Sequence, residues 1–136
     1  MAHALYGHKG LCRNIHGHTY SLSVTLLGGV KVDPGASDDG MVVDFSLLKD
    51  LVREQVISFY DHALVLNGQS KHSELKQLME SFEKVIYLDK QPTCENLVLE
   101  IADKLNKQLP KGVILHHVSL QETPTAKAEW FYDDNL

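Results

Sequence analysis

Strict alternation of polar and apolar side chains dominates residues 16–27. The apolar and aromatic set consists of Tyr20, Leu22, Val24 and Leu26. The intervening polar set consists of Thr19, Ser21, Ser23 and Thr25. Successive side chains of a strand point to opposite faces of its sheet, so this pattern predicts a half-buried antiparallel strand. Other elements of the chain must therefore cover one face of that strand.

Two helices are predicted between this strand and the C-terminal part of the chain. The first begins at Asp44 or Ser46, whose side chains can accept the free amide hydrogens of a first helical turn. Its apolar stripe consists of Leu47, Leu48, Leu51, Val52 and Val56. The second begins at Thr93 and ends at Pro110 and Gly112. Its inner face consists of Leu97, Val98, Ile101, Ala102, Leu105 and Leu109.

Further strands complete the predicted sheet. Residues 113–122 and 128–132 are predicted to form a hairpin that turns around Pro124-Thr125. The inward side chains of its first strand are predicted as Ile114, His116, Val118, Leu120 and Glu122. Short strands are predicted at residues 1–5, 41–43 and 85–88, and a surface insertion at 68–84 with a short helix over 73–82. Strands, then helices, then strands predict an α+β fold with the helices on one sheet face.

Length and composition predict a single domain over residues 1–136. The length of 136 residues, with 43% hydrophobic and 23% charged residues, is typical of one globular domain. The net charge of −5 argues against a nucleic-acid partner, because nucleic acids require a basic surface. No apolar run approaches the roughly 18–20 residues that span a bilayer, so no membrane partner is expected. Two cysteines make no disulfide framework and favour a reducing cytoplasm.

Histidines are concentrated near the N-terminus, where residues 1–30 contain no Asp or Glu. His16 and His18 project from the same face of the predicted strand, roughly 6–7 Å apart. His3, in a neighbouring strand, is the expected third ligand, and His8 is its competitor. Three imidazoles can bind Zn²⁺ and leave its fourth position open. Histidines that only pack in the protein, without any metal, are the alternative interpretation.

Cys12 lies four residues before His16, and three roles are open for it. A thiol beside Zn²⁺ or a cation such as Arg13 ionises readily and can act as a nucleophile or base. The thiol can instead be the fourth ligand of a structural zinc site. The third role is that of a small buried side chain. Cys94, at the start of a predicted helix, is interpreted as a packing residue.

Three further polar side chains are candidates for acid–base chemistry or ligand recognition. Asp61 and His62 are adjacent, and in a turn such a carboxylate and imidazole can form an acid/base unit. Glu122 lies on the apolar face of its predicted strand, where a carboxylate requires a partner. Glu122 can anchor the N–H edge of a heterocycle, or it can mark a strand end that is open to water.

Six ordered motifs extend over nearly the whole chain. They are Ala2-His3-Ala4-Leu5, Cys12-x-x-x-His16-Gly17-His18, Gly40-Met41-Val42-Val43-Asp44-Phe45, Asp61-His62, Pro92-Thr93-Cys94-Glu95-Asn96-Leu97 and Glu122-Thr123. Together they resemble the 6-pyruvoyltetrahydropterin synthase/6-carboxytetrahydropterin synthase family. The short spacing between Cys12 and His16 is similar to that of the bacterial 6-carboxytetrahydropterin synthases of queuosine biosynthesis.

The resemblance implies a T-fold subunit, in which an antiparallel sheet carries two helices on one face. It implies that such subunits form trimeric barrels, and that two trimers stack into a homohexamer with active sites between subunits. The implied substrate is 7,8-dihydroneopterin triphosphate and the implied cofactor is Zn²⁺. For the triphosphate we nominate Lys9 and Arg13, because cationic side chains suit phosphate oxygens.

The resemblance also implies the site residues. By matching motifs, the zinc ligands are His3, His16 and His18, the general base is Cys12, the partner acid/base unit is Asp61 with His62, and the pterin anchor is Glu122 helped by Thr93. The chain departs from the family pattern in three places. Family members have a longer strand before their Ala-His, residues 68–90 are longer than in compact bacterial members, and Cys94 replaces an expected Ser, Thr or Ala.

The leading interpretation is a zinc-dependent lyase that forms 6-carboxytetrahydropterin and releases triphosphate and acetaldehyde. The first alternative is a 6-pyruvoyltetrahydropterin synthase, which shares the metal site and substrate but retains the side-chain carbons. The alternative from another class is a non-catalytic T-fold module that holds a closed structural zinc through Cys12 and the histidines. A cysteine rather than a glutamate at position 12 argues against the branch of the family that makes hydroxymethylpterin.

Overall fold

Two sheets and two longer helices are the main elements of the described part of the chain. The structure is a computed structural model and describes residues 1–69, 71 and 76–136. The strands are β1 (Ala2–Ala4), β2 (His16–Gly17), β3 (Ser21–Gly28), β4 (Leu64–Asn67), β5 (Val85–Leu88), β6 (Val113–Thr123) and β7 (Ala126–Phe131). The helices are α1 (Phe45–Val52), α2 (Ser58–Tyr60), α3 (Lys76–Met79) and α4 (Cys94–Asn106). A π-helical turn, Arg53–Ile57, joins α1 to α2.

Strands β3, β6 and β7 form an antiparallel sheet in that order. The predicted alternation is confirmed, because the inward side chains of this segment pack against the main core: Tyr20, Leu22, Val24 and Leu26. The predicted hairpin is also confirmed, with β7 pairing against β6 after a two-residue turn. The long strand predicted over 16–27 is divided, since residues 18–20 lie between β2 and β3.

A β-bulge changes which side chains of β6 reach the core. Thr25 pairs with His117, whereas Leu26 pairs with Leu115, so the intervening His116 is the extra residue. A bulge reverses the inward and outward alternation on its strand. Leu115 is therefore fully buried, and the prediction that Ile114 and His116 are the inward residues is wrong.

The two longer helices, α1 and α4, each begin at a side chain that caps them. The Asp44 carboxylate accepts a hydrogen bond from the Ser46 amide at 2.7 Å, as predicted for α1. Leu47 is 64% exposed, so the apolar stripe of this helix is narrower than predicted. Thr93 caps α4, whose inner side chains are buried as predicted: Leu97, Val98, Ile101, Ala102 and Leu105. Helix α4 packs against β6 and β7 and also contacts the π-helical turn, and Leu51 and Val52 of α1 pack against the same core.

The second sheet has the order β2-β1-β4-β5. Strand β1 is antiparallel to β2, with His3 directly opposite His16. It is parallel to β4, which is parallel to β5. This mixed sheet accompanies the antiparallel sheet expected from the sequence, and the described chain does not close into a barrel by itself. Its central strand β1 brings two of the predicted metal ligands together.

Two short elements differ from their predictions. Residues 41–43 form no strand, although the Met41 carbonyl accepts a hydrogen bond from the Lys31 amide across the loop between β3 and α1. The helix predicted over 73–82 is represented by α3 alone, and residues 73–75 lie outside the described residues. The predicted strand β5 is confirmed. Within the described ranges, no helix has the length and apolar character needed to cross a membrane.

Candidate metal centre and active site

Three histidine rings converge where β1 and β2 meet the segment that leads into β3. The ring centroids of His3 and His16 lie 4.6 Å apart. The His18 centroid is 5.4 Å from that of His3 and 5.1 Å from that of His16. One ligand nitrogen from each ring lies within 4.8 Å of the other two. Imidazole nitrogens bind Zn²⁺ at about 2.0–2.1 Å, and three nitrogens grouped this closely could hold one ion.

Backbone carbonyls orient two of these rings. His3 Nδ1 donates to the Pro92 carbonyl oxygen at 2.7 Å, and His16 Nδ1 donates to that of Asn14 at 2.8 Å. Because a carbonyl oxygen only accepts, each Nδ1 carries the proton and each Nε2 retains its lone pair. Metal-binding histidines in proteins typically make this second hydrogen bond. His3 and His16 therefore both present Nε2 as a metal ligand.

The His3 Nε2 atom indicates that the cluster fits a divalent cation. His3 is 2% exposed, and its Nε2 is a buried polar atom without a hydrogen-bond partner among the described residues. An unsatisfied buried polar atom costs about 1–3 kcal/mol, unless a ligand takes its lone pair. Burial also holds the pKa of His3 below its ordinary value. The neutral imidazole that binds metals is thereby favoured.

Glu122, near the end of β6, faces this histidine cluster. Its Oε1 atom lies 3.6 Å from His3 Nε2 and 3.9 Å from His18 Nε2. The Tyr20 hydroxyl donates to the same oxygen at 2.8 Å. Burial is the main cause that raises the pKa of Tyr20 above its ordinary value, so the hydroxyl keeps its proton as a donor. The carboxylate that the sequence placed on an apolar face thus has a partner.

Tyr20 was not recognised as a site residue from the sequence. The alternation assigned it to the core, and it does pack against the main core. Its ring also meets the rings of His3 and His18 edge-on, at centroid distances of 6.2 and 5.8 Å. A sequence signal was present, since Tyr20 lies on the predicted face of His18 and Glu122 lies on the inward face of another strand. Only strand register shows that the two side chains meet.

The loop that leads into α4 also contacts the histidine cluster. Pro92 supplies the carbonyl oxygen for His3, and Thr93 accepts a hydrogen bond from the Asn96 amide at 3.3 Å. Cys94 Sγ donates to the Leu120 carbonyl oxygen at 3.2 Å and packs against the main core. Burial raises the pKa of the Cys94 thiol. The interpretation of Cys94 as a packing residue is confirmed.

Asp61 and His62 form the turn that follows α2. His62 Nδ1 lies 3.0 Å from Asp61 Oδ2, and both side chains are exposed, at 91% for His62 and 60% for Asp61. They line a cavity of about 1030 Å³ whose lining also includes His18 and Tyr20. The pair therefore opens towards the same cavity as one member of the histidine cluster.

Cys12 and His8 lie outside the histidine cluster. Cys12 is in a 3₁₀ turn, where it is half-buried and forms no disulfide. Its Sγ does not belong to the group of mutually close ligand atoms found among the described residues. His8 Nδ1 accepts a bond from the Gly10 amide on an exposed loop. The histidine that completes the cluster is therefore His3.

Comparisons with known proteins agree with these features. The family model described as 6-pyruvoyl tetrahydropterin synthase matches residues 1–132. The chain is 34% identical to the 6-carboxy-5,6,7,8-tetrahydropterin synthase of Rickettsia bellii (strain RML369-C), covering 93% of this chain and 90% of that protein. It is 31% identical to the protein of the same name from Haemophilus influenzae, covering 96% and 91% of the two chains.

A solved structure gives the same result. The 6-pyruvoyl tetrahydropterin synthase of Caenorhabditis elegans superposes on this chain with a TM-score of 0.64 and 28% identity. The superposition covers 96% of this chain and 86% of that one. The α+β T-fold expected from the motifs is thus confirmed. With the match over residues 1–132, these similarities show that the chain belongs to the 6-pyruvoyl tetrahydropterin synthase family.

Proposed function

We propose that this protein converts 7,8-dihydroneopterin triphosphate to 6-carboxy-5,6,7,8-tetrahydropterin and releases triphosphate and acetaldehyde, as in the queuosine branch of the family. The observation that carries the proposal is the cluster of His3, His16 and His18 with Glu122 beside it. A role as a pterin synthase follows from the family and from relatives named 6-carboxy-5,6,7,8-tetrahydropterin synthase. Such a cluster can bind a cation and a heterocycle next to each other.

We infer that the cation is Zn²⁺, held by His3, His16 and His18. Bound there, it supplies Lewis-acid polarisation of the oxygens on the substrate side chain. The cluster offers three nitrogens and does not include the Cys12 thiol. Catalytic zinc sites typically have three protein ligands and an open position, whereas structural sites have four. The composition of the cluster therefore supports an open site over a closed structural zinc.

Glu122 and Thr93 are proposed to hold the pterin ring. The Glu122 carboxylate accepts hydrogen bonds from an N–H edge of the heterocycle while Tyr20 holds its Oε1. Thr93 Oγ1 accepts from the Asn96 amide, which leaves the hydroxyl proton free for donation. A ring bound at Glu122 lies next to the histidine cluster, because Oε1 is 3.6 Å from His3 Nε2. Exposed Lys9 and Arg13 are proposed to bind the triphosphate.

Cys12, Asp61 and His62 are proposed to move protons. The Cys12 thiolate takes a proton from a side-chain carbon of the substrate. The Asp61 carboxylate holds the Nδ1 proton of His62 across their 3.0 Å contact, and this leaves His62 Nε2 free to exchange protons. The exposure of this pair supports a site that is completed by a neighbouring copy of the chain. We accordingly propose a homohexamer, a dimer of trimers, that works in the cytoplasm.

Product analysis tests the proposal directly. Zinc-loaded protein is incubated with 7,8-dihydroneopterin triphosphate, and the products are identified by mass spectrometry. We expect 6-carboxytetrahydropterin together with acetaldehyde. A product that retains the pyruvoyl side chain would assign the 6-pyruvoyl activity instead, which the likeness to the Caenorhabditis elegans enzyme makes the second candidate. Substrate that stays unconsumed by zinc-loaded protein would refute both.

A further inference from the structure

Lys84 binds the last turn of the helical segment that ends with α2, next to Asp61. Its Nζ donates to the Ser58 carbonyl oxygen at 2.7 Å and to the Asp61 carbonyl oxygen at 2.8 Å. The last carbonyls of a helix have no partner within the helix, and a cation placed there also interacts favourably with the helix dipole. One ammonium group thus joins the last helical turn to the residue that follows it.

The backbone of this turn has a conformation that requires support. His62 has a φ of 58°, in the left-handed region that residues other than glycine seldom adopt. On either side of it, the Asp61 amide donates to the Ile57 carbonyl at 2.8 Å and the Ala63 amide donates to the Tyr60 carbonyl at 3.1 Å. This single residue reverses the chain from α2 into β4. The orientation of the His62 side chain depends on how firmly the reversal is held.

Lys84 holds the reversal through its main chain as well. Its carbonyl oxygen accepts a hydrogen bond from the Leu64 amide at 3.0 Å, at the start of β4. Lys84 directly precedes β5, which pairs with β4 in parallel. The side chain and the main chain of one residue therefore bind both sides of the Asp61–His62 turn.

Lys84 comes from the segment that the sequence marks as a long insertion. It lines the same cavity as Asp61, His62 and His18, together with Phe82 and Glu83 from that segment. Two of the three N–H groups on Nζ are used by backbone carbonyls. The ammonium group of Lys84 is therefore bound to backbone carbonyls of the turn rather than directed at a ligand in the cavity.

We propose that Lys84 is a positioning residue, which holds the Asp61–His62 turn so that the imidazole projects into the cavity. This inference rests on the proposed function, in which Asp61 and His62 form the acid/base unit. Without the ammonium group, the carbonyl oxygens of Ser58 and Asp61 form hydrogen bonds with water instead. The backbone next to His62 then lacks the two hydrogen bonds that restrain it. His62 then occupies its reactive orientation for a smaller fraction of the time.

Three variants test the proposal on the zinc-loaded protein. Lys84→Met keeps the length of the side chain but removes its donors, whereas Lys84→Arg retains donors and charge. Lys107→Met is the matched control, because Lys107 pairs with Asp103 on the exposed face of α4. We expect Lys84→Met to lower kcat by roughly 10- to 100-fold with KM unchanged, which is the size of effect that a misplaced reacting group produces. Lys84→Arg should recover most of kcat, and Lys107→Met should retain it.

Amide hydrogen exchange, followed by NMR, gives a readout that needs no turnover. Lys84→Met should accelerate exchange at Ala63 and Leu64, whose amides close the turn, and leave the buried α4 amide of Leu97 and the zinc content unchanged. Unchanged exchange at Ala63 and Leu64, unchanged kcat, or equal acceleration at Leu97 would each overturn the proposal. If wild-type protein consumes no 7,8-dihydroneopterin triphosphate, the proposed function fails. The exchange at the turn then still decides whether Lys84 holds it.

Discussion

Replacing Tyr20 with Phe tests whether Glu122 holds the pterin ring. The change removes only the hydroxyl group that donates to Glu122 Oε1 at 2.8 Å and leaves the aromatic ring against His3 and His18. We expect pterin affinity to fall while zinc remains bound. The physical reason is that Glu122 loses the bond that orients its carboxylate, whereas His3 and His16 keep their backbone carbonyl partners.

The size of the effect follows from the exposure of the carboxylate. A hydrogen bond to a charged group contributes about 1.5–3 kcal/mol. Glu122 is 22% exposed, so water replaces part of the lost bond and we take about 1 kcal/mol for the change. Since 1.4 kcal/mol is a factor of ten, the dissociation constant should rise about fivefold. Quenching of neopterin fluorescence measures this constant, and elemental analysis measures zinc.

Tyr60→Phe is the matched control. Tyr60 donates to Glu100 Oε1 at 2.7 Å, and burial raises the pKa of Tyr60 as it does for Tyr20. Neither Tyr60 nor Glu100 belongs to the histidine cluster. Both variants should lose comparable thermal stability, and only Tyr20→Phe should bind neopterin more weakly. If both variants retain wild-type affinity, or both lose it equally, the assignment of Glu122 as the pterin anchor is wrong.

Three further predictions concern the metal centre and the thiol. Cys12→Ala should abolish turnover and retain zinc, as measured by product formation and elemental analysis; loss of zinc and fold would instead support a structural site. His3→Ala should lower zinc affinity by more than about tenfold in a chelator competition, because one of three ligands is lost. Metal-free protein should lose stability towards urea as pH falls below 6.5, the ordinary pKa of histidine. Burial lowers the folded-state pKa of His3, so the unfolded chain binds more protons in that range and acid favours it. A His3→Gln variant should show a shallower loss, and equal pH dependence in the two proteins would contradict the explanation.

Much of the candidate site could be predicted from local sequence patterns. The two histidines around Gly17 are close in the chain, so strand geometry alone placed them on one face. Helix α4 was predicted with nearly correct bounds, because its cap Thr93 and its apolar spacing are local signals. The partner of Glu122 was not predicted, since Tyr20 is 102 residues away in sequence and meets it only through the register of β3 and β6.

The sequence by itself determined the kinds of element and the identity of the candidate ligands, because capping, alternation and helical spacing act between residues a few positions apart. The tertiary structure decided how these elements meet. It placed β1 between β2 and β4, put the extra residue of the β6 bulge at His116, and brought the Pro92 carbonyl to His3 across 89 residues. Such pairings depend on burial and hydrogen bonding between distant segments, and no local pattern specifies them. The same reason explains why a lysine in a surface insertion, Lys84, was not expected at the Asp61–His62 turn.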